Sequence, residues 1–180
     1  MSKYLIVVDM QNDFINGALG TAEAEKIVSN VKKKISESIG NRNIYFTMDT
    51  HYPDYLDTAE GKKLPVAHCI YETDGWQIAR ELLDPFYGKG LIPDMVVKKT
   101  FGSVELAHTL TELDKKEKIE EIELIGLCTD ICVISNALLL KAFFPEANIS
   151  VDASCCAGVT PDSHKNALEA MNMCHIDIVN

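Results

Sequence analysis

The sequence predicts an α/β protein, a three-layer sandwich whose six-stranded, mostly parallel sheet carries helices on both faces. Short β-branched runs alternate with helix-period segments along the whole chain. The first of these runs is apolar at every position, as a strand buried on both faces must be. Chemically capable side chains gather where the runs end, which suits a parallel sheet that binds ligands beyond its carboxyl ends.

Tyr4 to Val8 is the first strand and ends at Asp9. Met10 to Gly20 carries Asn12, Asp13, Asn16, Gly17 and Gly20 and reads as a loop. A helix follows from about Thr21 to Ser38, where Ala24, Ile27, Val28, Val31 and Ile35 keep a helical period. The strand Asn43 to Met48 then delivers Asp49 and His51. Pro53 to Gly75 is irregular, and so long a loop in a compact domain usually has a function. A short helix around Trp76 to Leu83 and a strand Met95 to Val97 lead to Lys98 and Lys99. A helix from Val104 into the charged run Asp114 to Glu121 precedes the central strand Ile122 to Gly126. The rest reads as a helix Val133 to Phe144, a strand Asn148 to Val151, a helix Pro161 to Met173 and a strand His175 to Val179. The doubly wound order 3-2-1-4-5-6 fits six such strands and sets Asp9 near the residues that follow the fourth.

A chain of 180 residues is most simply one domain, 1–180. Its net charge of -10 weighs against nucleic acid or an anionic membrane as partner. No run approaches the roughly 18 apolar residues of a membrane span. Met1 leads straight into a strand, so the six cysteines read as reduced thiols of a cytoplasmic protein, not as a disulfide framework.

Cys132 falls where a strand turns into a helix, and the free amides and positive dipole end of a helix favour a thiolate. A thiol of ordinary pKa needs a base or a cation to react at neutral pH, and Asp9 and Lys99 can fill those roles. Taken singly, the cysteine reads more often as packing and the aspartate more often as a turn cap. Asp49-x-His51 with His68 offers a carboxylate and two imidazoles, a donor set for zinc, iron or manganese, and Glu60 is a further candidate ligand. Asp54 and Asp57 read as solvated charges, and His108, His164 and His175 lack a partner at ligand spacing. Cys128 and Cys132 are not spaced as a C-x-x-C pair. Phe14 and Phe101 can form an apolar wall for a flat substrate.

Together these pieces resemble the isochorismatase-like cysteine hydrolases, and within them the nicotinamidase branch. The matching stretches are VVDMQNDF (Val7 to Phe14), MDTH (Met48 to His51), His68-Cys69, VVKKTFGS (Val96 to Ser103) and GLCTDICV (Gly126 to Val133). The resemblance implies Asp9, Lys99 and Cys132 as catalytic residues, the last as nucleophile. It implies Asp49, His51 and His68 as ligands of a divalent metal, with Glu60 near a fourth ligand position of some members. It also implies a cis peptide at Leu127-Cys128 and an oxyanion hole from the amides of Cys128 and Cys132. The expected reaction is hydrolysis of a small amide, nicotinamide first, in pyridine nucleotide salvage, and family analogy implies a homo-oligomer.

Departures concern the substrate pocket. Nicotinamidases commonly place aromatic residues before the second histidine and just after the lysine; here Leu64-Pro65-Val66-Ala67 and Gly102 occupy those regions, with Phe101 as the compensating aromatic. Another small amide or ureido compound is therefore the alternative substrate. Isochorismate is disfavoured because that branch typically lacks the metal residues. A non-catalytic binding member should have lost a triad position, and a metal-dependent redox or storage protein lacks its C-x-x-C.

Overall fold

The computed structural model describes residues 1–180 and contains six strands. These are β1 (Ser2–Val8), β2 (Asn43–Asp49), β3 (Asp94–Lys98), β4 (Ile119–Leu127), β5 (Asn148–Ala157) and β6 (Asp177–Val179). They form one sheet in the order β3-β2-β1-β4-β5-β6, and every neighbouring pair is parallel. This is the doubly wound order expected from the sequence.

Parallel neighbours need crossovers, and helices make them. The main ones are α2 (Ala22–Ser38), α3 (Arg80–Tyr87), α4 (Val104–Asp114), α5 (Ile134–Phe143) and α6 (Pro161–Met173). Successive β1 side chains point to opposite faces. Leu5 and Val7 enter a core with Ile27, Val31 and Ile35 of α2 and Leu82 of α3; Tyr4, Ile6 and Val8 enter a second core with α4, α5 and Met171 of α6. Hydroxyl caps start three helices: Thr21, Ser103 and Thr160 each accept a first-turn amide, satisfying donors the helix cannot.

The elements depart from expectation where the chain approaches the carboxyl ends of the strands. The loop 10–20 contains a single helical turn, α1 (Asn12–Ile15). The expected helix over 76–83 instead runs from Arg80 through Pro85 to Tyr87. Trp76 to Ala79 cannot start it, because this backbone is paired with the chain after β1: Asn12 N donates to Gln77 O and Ala79 N to Met10 O, both at 3.0 Å. A turn of π-helix, Thr129–Val133, intervenes before α5, and β5 continues to Ala157, placing Cys155 and Cys156 inside the strand.

At the centre of the sheet Gly126 pairs with Val8 at φ +116. A methyl group there would lie 2.1 Å from Val8 O, so only glycine permits this approach of β4 to β1. The next peptide but one, Leu127-Cys128, is cis.

Candidate active site

Three strand ends and the π turn converge beyond this point. β1 ends into Asp9, held at φ +47; β2 ends in Asp49; β3 ends in Lys98; Cys132 lies in the turn after β4. Lys98 Nζ stands 2.7 Å from Asp9 Oδ2, 3.2 Å from Asp49 Oδ1 and 3.5 Å from Cys132 Sγ. Asp9 is 0% and Lys98 1% exposed, so neither charge could sit there without the other. Thr47 Oγ1 donates to Asp9 Oδ1 at 2.6 Å and fixes the carboxylate.

The lysine expected in this position was Lys99, and here the structure corrects the sequence. Lys98 is level with Asp49 in the β2–β3 register and turns inward. Lys99 follows the strand's last residue, is exposed, and its Nζ lies 5.0 Å from the centre of the Tyr52 ring. Adjacent residues of an extended chain point to opposite sides, so one position decides which lysine enters.

Burial pushes the Cys132 thiol well above its usual range, and the Asp9 carboxylate pushes it further against the opposing pull of Lys98. Burial also raises Asp9, with Lys98 offsetting only part of the effect. Burial works to strip the proton from Lys98, but the carboxylates of Asp9 and Asp49 outweigh it and push the ammonium above its usual range. The site thus sets a thiol beside an unusually basic carboxylate, with one cation in reach of both. Burial likewise pushes the Cys128 thiol up, to about 12, and unlike Cys132 it has no hydrogen bond from Lys98.

Asp49 Oδ2, His51 Nε2, His68 Nε2 and Glu60 Oε1 form a cluster whose donor atoms all lie within 4.8 Å of one another. His51 Nε2 is 3.0 Å from Asp49 Oδ2 and 3.7 Å from Glu60 Oε1; His68 Nε2 is 3.6 Å and 3.9 Å from the same atoms. Ligands about 2.0–2.1 Å from a common tetrahedral ion would stand about 3.3–3.4 Å apart, and these separations bracket that value. His68 Nδ1 is 2.8 Å from Val66 O, which leaves Nε2 free to bind metal. The donors therefore fit a divalent ion, Glu60 included.

A cavity of about 580 Å3 opens over the thiol and the metal set. Phe14, Leu64 and Phe101, the three pocket residues read from sequence, all line it, together with Ile131 and Val159. Cys128 and Cys132 form part of its floor.

Several residues that support the site had no sequence assignment. Asn136, fully buried in α5, donates to Cys132 O (2.8 Å) and Phe101 O (3.1 Å) and accepts from Ser103 N (2.8 Å). It joins the turn that holds Cys132 to the loop after β3 and to the cap of α4. Its signal was an amide just before the apolar run Ala137 to Leu140. His164 Nδ1 is 2.8 Å from the buried Thr129 hydroxyl, so α6 braces the same turn. Thr47 carries no sequence signal, and Gln11, although within the stretch Val7 to Phe14, shows no role there, because both depend on which chain lies beside them.

Among solved structures, the chain is similar over its full length to a nicotinamidase/pyrazinamidase from Bacillus subtilis, at 26% identity and TM-score 0.83, with all of that chain covered. A pyrazinamidase of Pyrococcus horikoshii solved in complex with zinc has TM-score 0.80 at 23% identity, with 100% of this chain and 99% of that one covered. The nicotinamidase of Saccharomyces cerevisiae is 23% identical over 98% of this chain and 99% of its own length. The Isochorismatase domain model matches residues 3–179. By that match across nearly the whole sequence, this chain belongs to the Isochorismatase domain family.

Proposed function

We propose that this protein is a metal-assisted cysteine amidohydrolase that converts a small carboxamide, nicotinamide foremost, to the acid and ammonia. One observation carries the reading: a buried thiol, carboxylate and ammonium in mutual contact on the floor of a cavity whose wall holds a divalent-metal donor set. Sγ of Cys132 attacks the amide carbonyl as Asp9 takes the thiol proton. Lys98 holds the negative charge that passes between them, and the amides of Cys128 and Cys132 receive the carbonyl oxygen. The C–N bond breaks and ammonia leaves with the proton from Asp9. Water then cleaves the Cys132 thioester through the same carboxylate, releasing the acid and restoring the thiol. Asp49, His51, His68 and Glu60 hold the metal, which we assign as zinc from the mixed imidazole and carboxylate donors; iron or manganese suits the same set. When bound, such an ion supplies a Lewis-acid anchor for a donor atom of the substrate.

The names of the similar proteins support nicotinamide, and Phe14 and Phe101 supply aromatic surface for its ring. A second reading, an amide or ureide that carries a carboxylate, is favoured by Lys63 and Lys99 in the cavity wall. Ammonia release from nicotinamide, pyrazinamide and acidic ureides, with and without chelator, separates the two. Turnover of acidic ureides alone would overturn nicotinamide as substrate. Full turnover by Cys132→Ala would end the cysteine mechanism. No helix is long and apolar enough to cross a membrane. All six cysteines are free, in keeping with a reduced cytoplasmic setting, and we expect a homo-oligomer on sedimentation.

A further inference from the structure

We infer that Gln11 and Asp13 are positioning residues of the metal site, which they serve by gripping the peptide groups of its ligand residues from the segment that follows Asp9. Gln11 is fully buried. Its Oε1 accepts from Asp49 N at 2.8 Å, while its Nε2 donates to Asp49 O and to Trp76 O, each at 2.8 Å. A side-chain amide thus holds both polar groups of the Asp49 backbone, as a neighbouring strand would, at the point where the β-ladder stops.

Asp13 acts two residues further along. Its Oδ2 accepts from Cys69 N at 2.7 Å, the peptide that joins Cys69 to His68. Cys69 O in turn accepts from His51 N at 3.0 Å. Cys69 sits at φ +46, a conformation costly for a non-glycine residue, so this peptide has to be held by its surroundings. One carboxylate therefore governs the placement of His68 directly and of His51 through one further hydrogen bond.

The seat of Asp13 is itself built. A methyl group on Gly75 would lie 2.2 Å from Asp13 Oδ2, and one on Gly17 would lie 2.6 Å from Oδ1. Both atoms are in use, since Oδ1 also accepts from Ala18 N at 3.2 Å. Side chains that orient metal ligands typically affect metal affinity 10- to 100-fold when changed. Asp49, His51 and His68 thus depend on residues 11–13, whereas Glu60 belongs to the separate turn after Tyr55–Asp57.

The inference rests on the metal reading above, and the test keeps the two apart. Zinc affinity is measured by chelator competition on metal-free protein, and the thermal stability of the same metal-free protein is recorded. Wild type should bind one zinc, and His51→Ala should lose it. Gln11→Glu, Asp13→Asn and Gly75→Ala should each weaken zinc binding about 10- to 100-fold. The double variant Asp13→Asn/Gly75→Ala should bind no more weakly than the worse single one, because both act through the same carboxylate. Unchanged zinc affinity with lowered metal-free stability would show a purely structural role and overturn the inference while the metal reading stands. A wild-type protein that binds no zinc removes both. Should Asp13→Asn fail to fold, Gln11→Glu and Gly75→Ala decide the matter by the same affinities.

Discussion

Lys98 and Lys99 share a side-chain chemistry and differ only in direction, and that difference decides their roles. Lys98 is locked between two carboxylates and the Cys132 thiol; Lys99 lies over Tyr52 at the cavity rim. Lys98→Met should therefore reduce kcat on the order of 100- to 10,000-fold, the range for a group that manages charge in the transition state. Lys99→Met should keep kcat with a neutral amide within a few-fold, and steady-state kinetics on the two purified variants checks the pair. Sequence could not separate them, since VVKKT does not reveal which residue ends the strand, and a slip of one position reverses inside and outside. The placement of Asp9 and Cys132 beyond strand ends was legible because each follows an unmistakable apolar run. Thr47 and Gln11 were not, because their partners lie 38 residues away across the sheet.

Among the elements, β4, β5 and α2 are tied together by charge as well as by packing. Lys34 of α2 lies 2.9 Å from Glu123 of β4 and 2.6 Å from Asp152 of β5. Burial works to raise Asp152, but hydrogen bonds from Lys34, Ser154 and Asn180 outweigh it and hold the carboxyl below its usual range. A carboxyl depressed on folding contributes stability that is present above its unfolded pKa of about 3.9 and is lost as pH falls through the lower folded value. Asp152→Asn should thus lower stability at pH 7 and flatten the acid limb below about pH 4, as chemical denaturation at several pH values would show. Asn136→Ala, which strands the buried Ser103 amide, should cost about 1–3 kcal/mol and lower kcat as well. The helix expected at 76–83 illustrates what element-level reading misses. Arg80 to Leu83 do form helix, yet the backbone of Gln77 and Ala79 before them is already paired with Asn12 and Met10.

For the whole molecule, strand order was readable because continuous apolar runs demand burial on both faces and a parallel sheet permits few topologies. The long 53–75 segment could be read only as functional, since its fold follows from side chains it meets elsewhere, Asp13 above all. That segment supplies His68 and Glu60, so metal binding should stiffen the molecule globally. At zinc one hundred times its Kd, linkage adds about 2.7 kcal/mol to stability. For a chain of this size that corresponds to a Tm rise of roughly 5–11 °C. Scanning calorimetry with and without chelator measures it; an unchanged Tm would mean that the donors do not close on an ion.

The glycine between β1 and β4 acts as a gauge block. The spacing of the two strands that lead to Asp9 and Cys132 is set by a methyl group that is not there. Gly126→Ala would press a carbon against Val8 O and demand an unfavourable φ, wedging the halves of the sheet apart just below Asp9 and Cys132. The variant should still bind added zinc, since the donor cluster comes from β2 and the loop beyond it, while the Cys132 thiol loses contact with Asp9 and Lys98. Metal content near wild type with turnover reduced at least tenfold is the expected outcome. Equal loss of metal and turnover would place the wedge elsewhere. Access to one strand spacing, and not the identity of any reacting group, would then be what limits where this chemistry can be installed on the sheet.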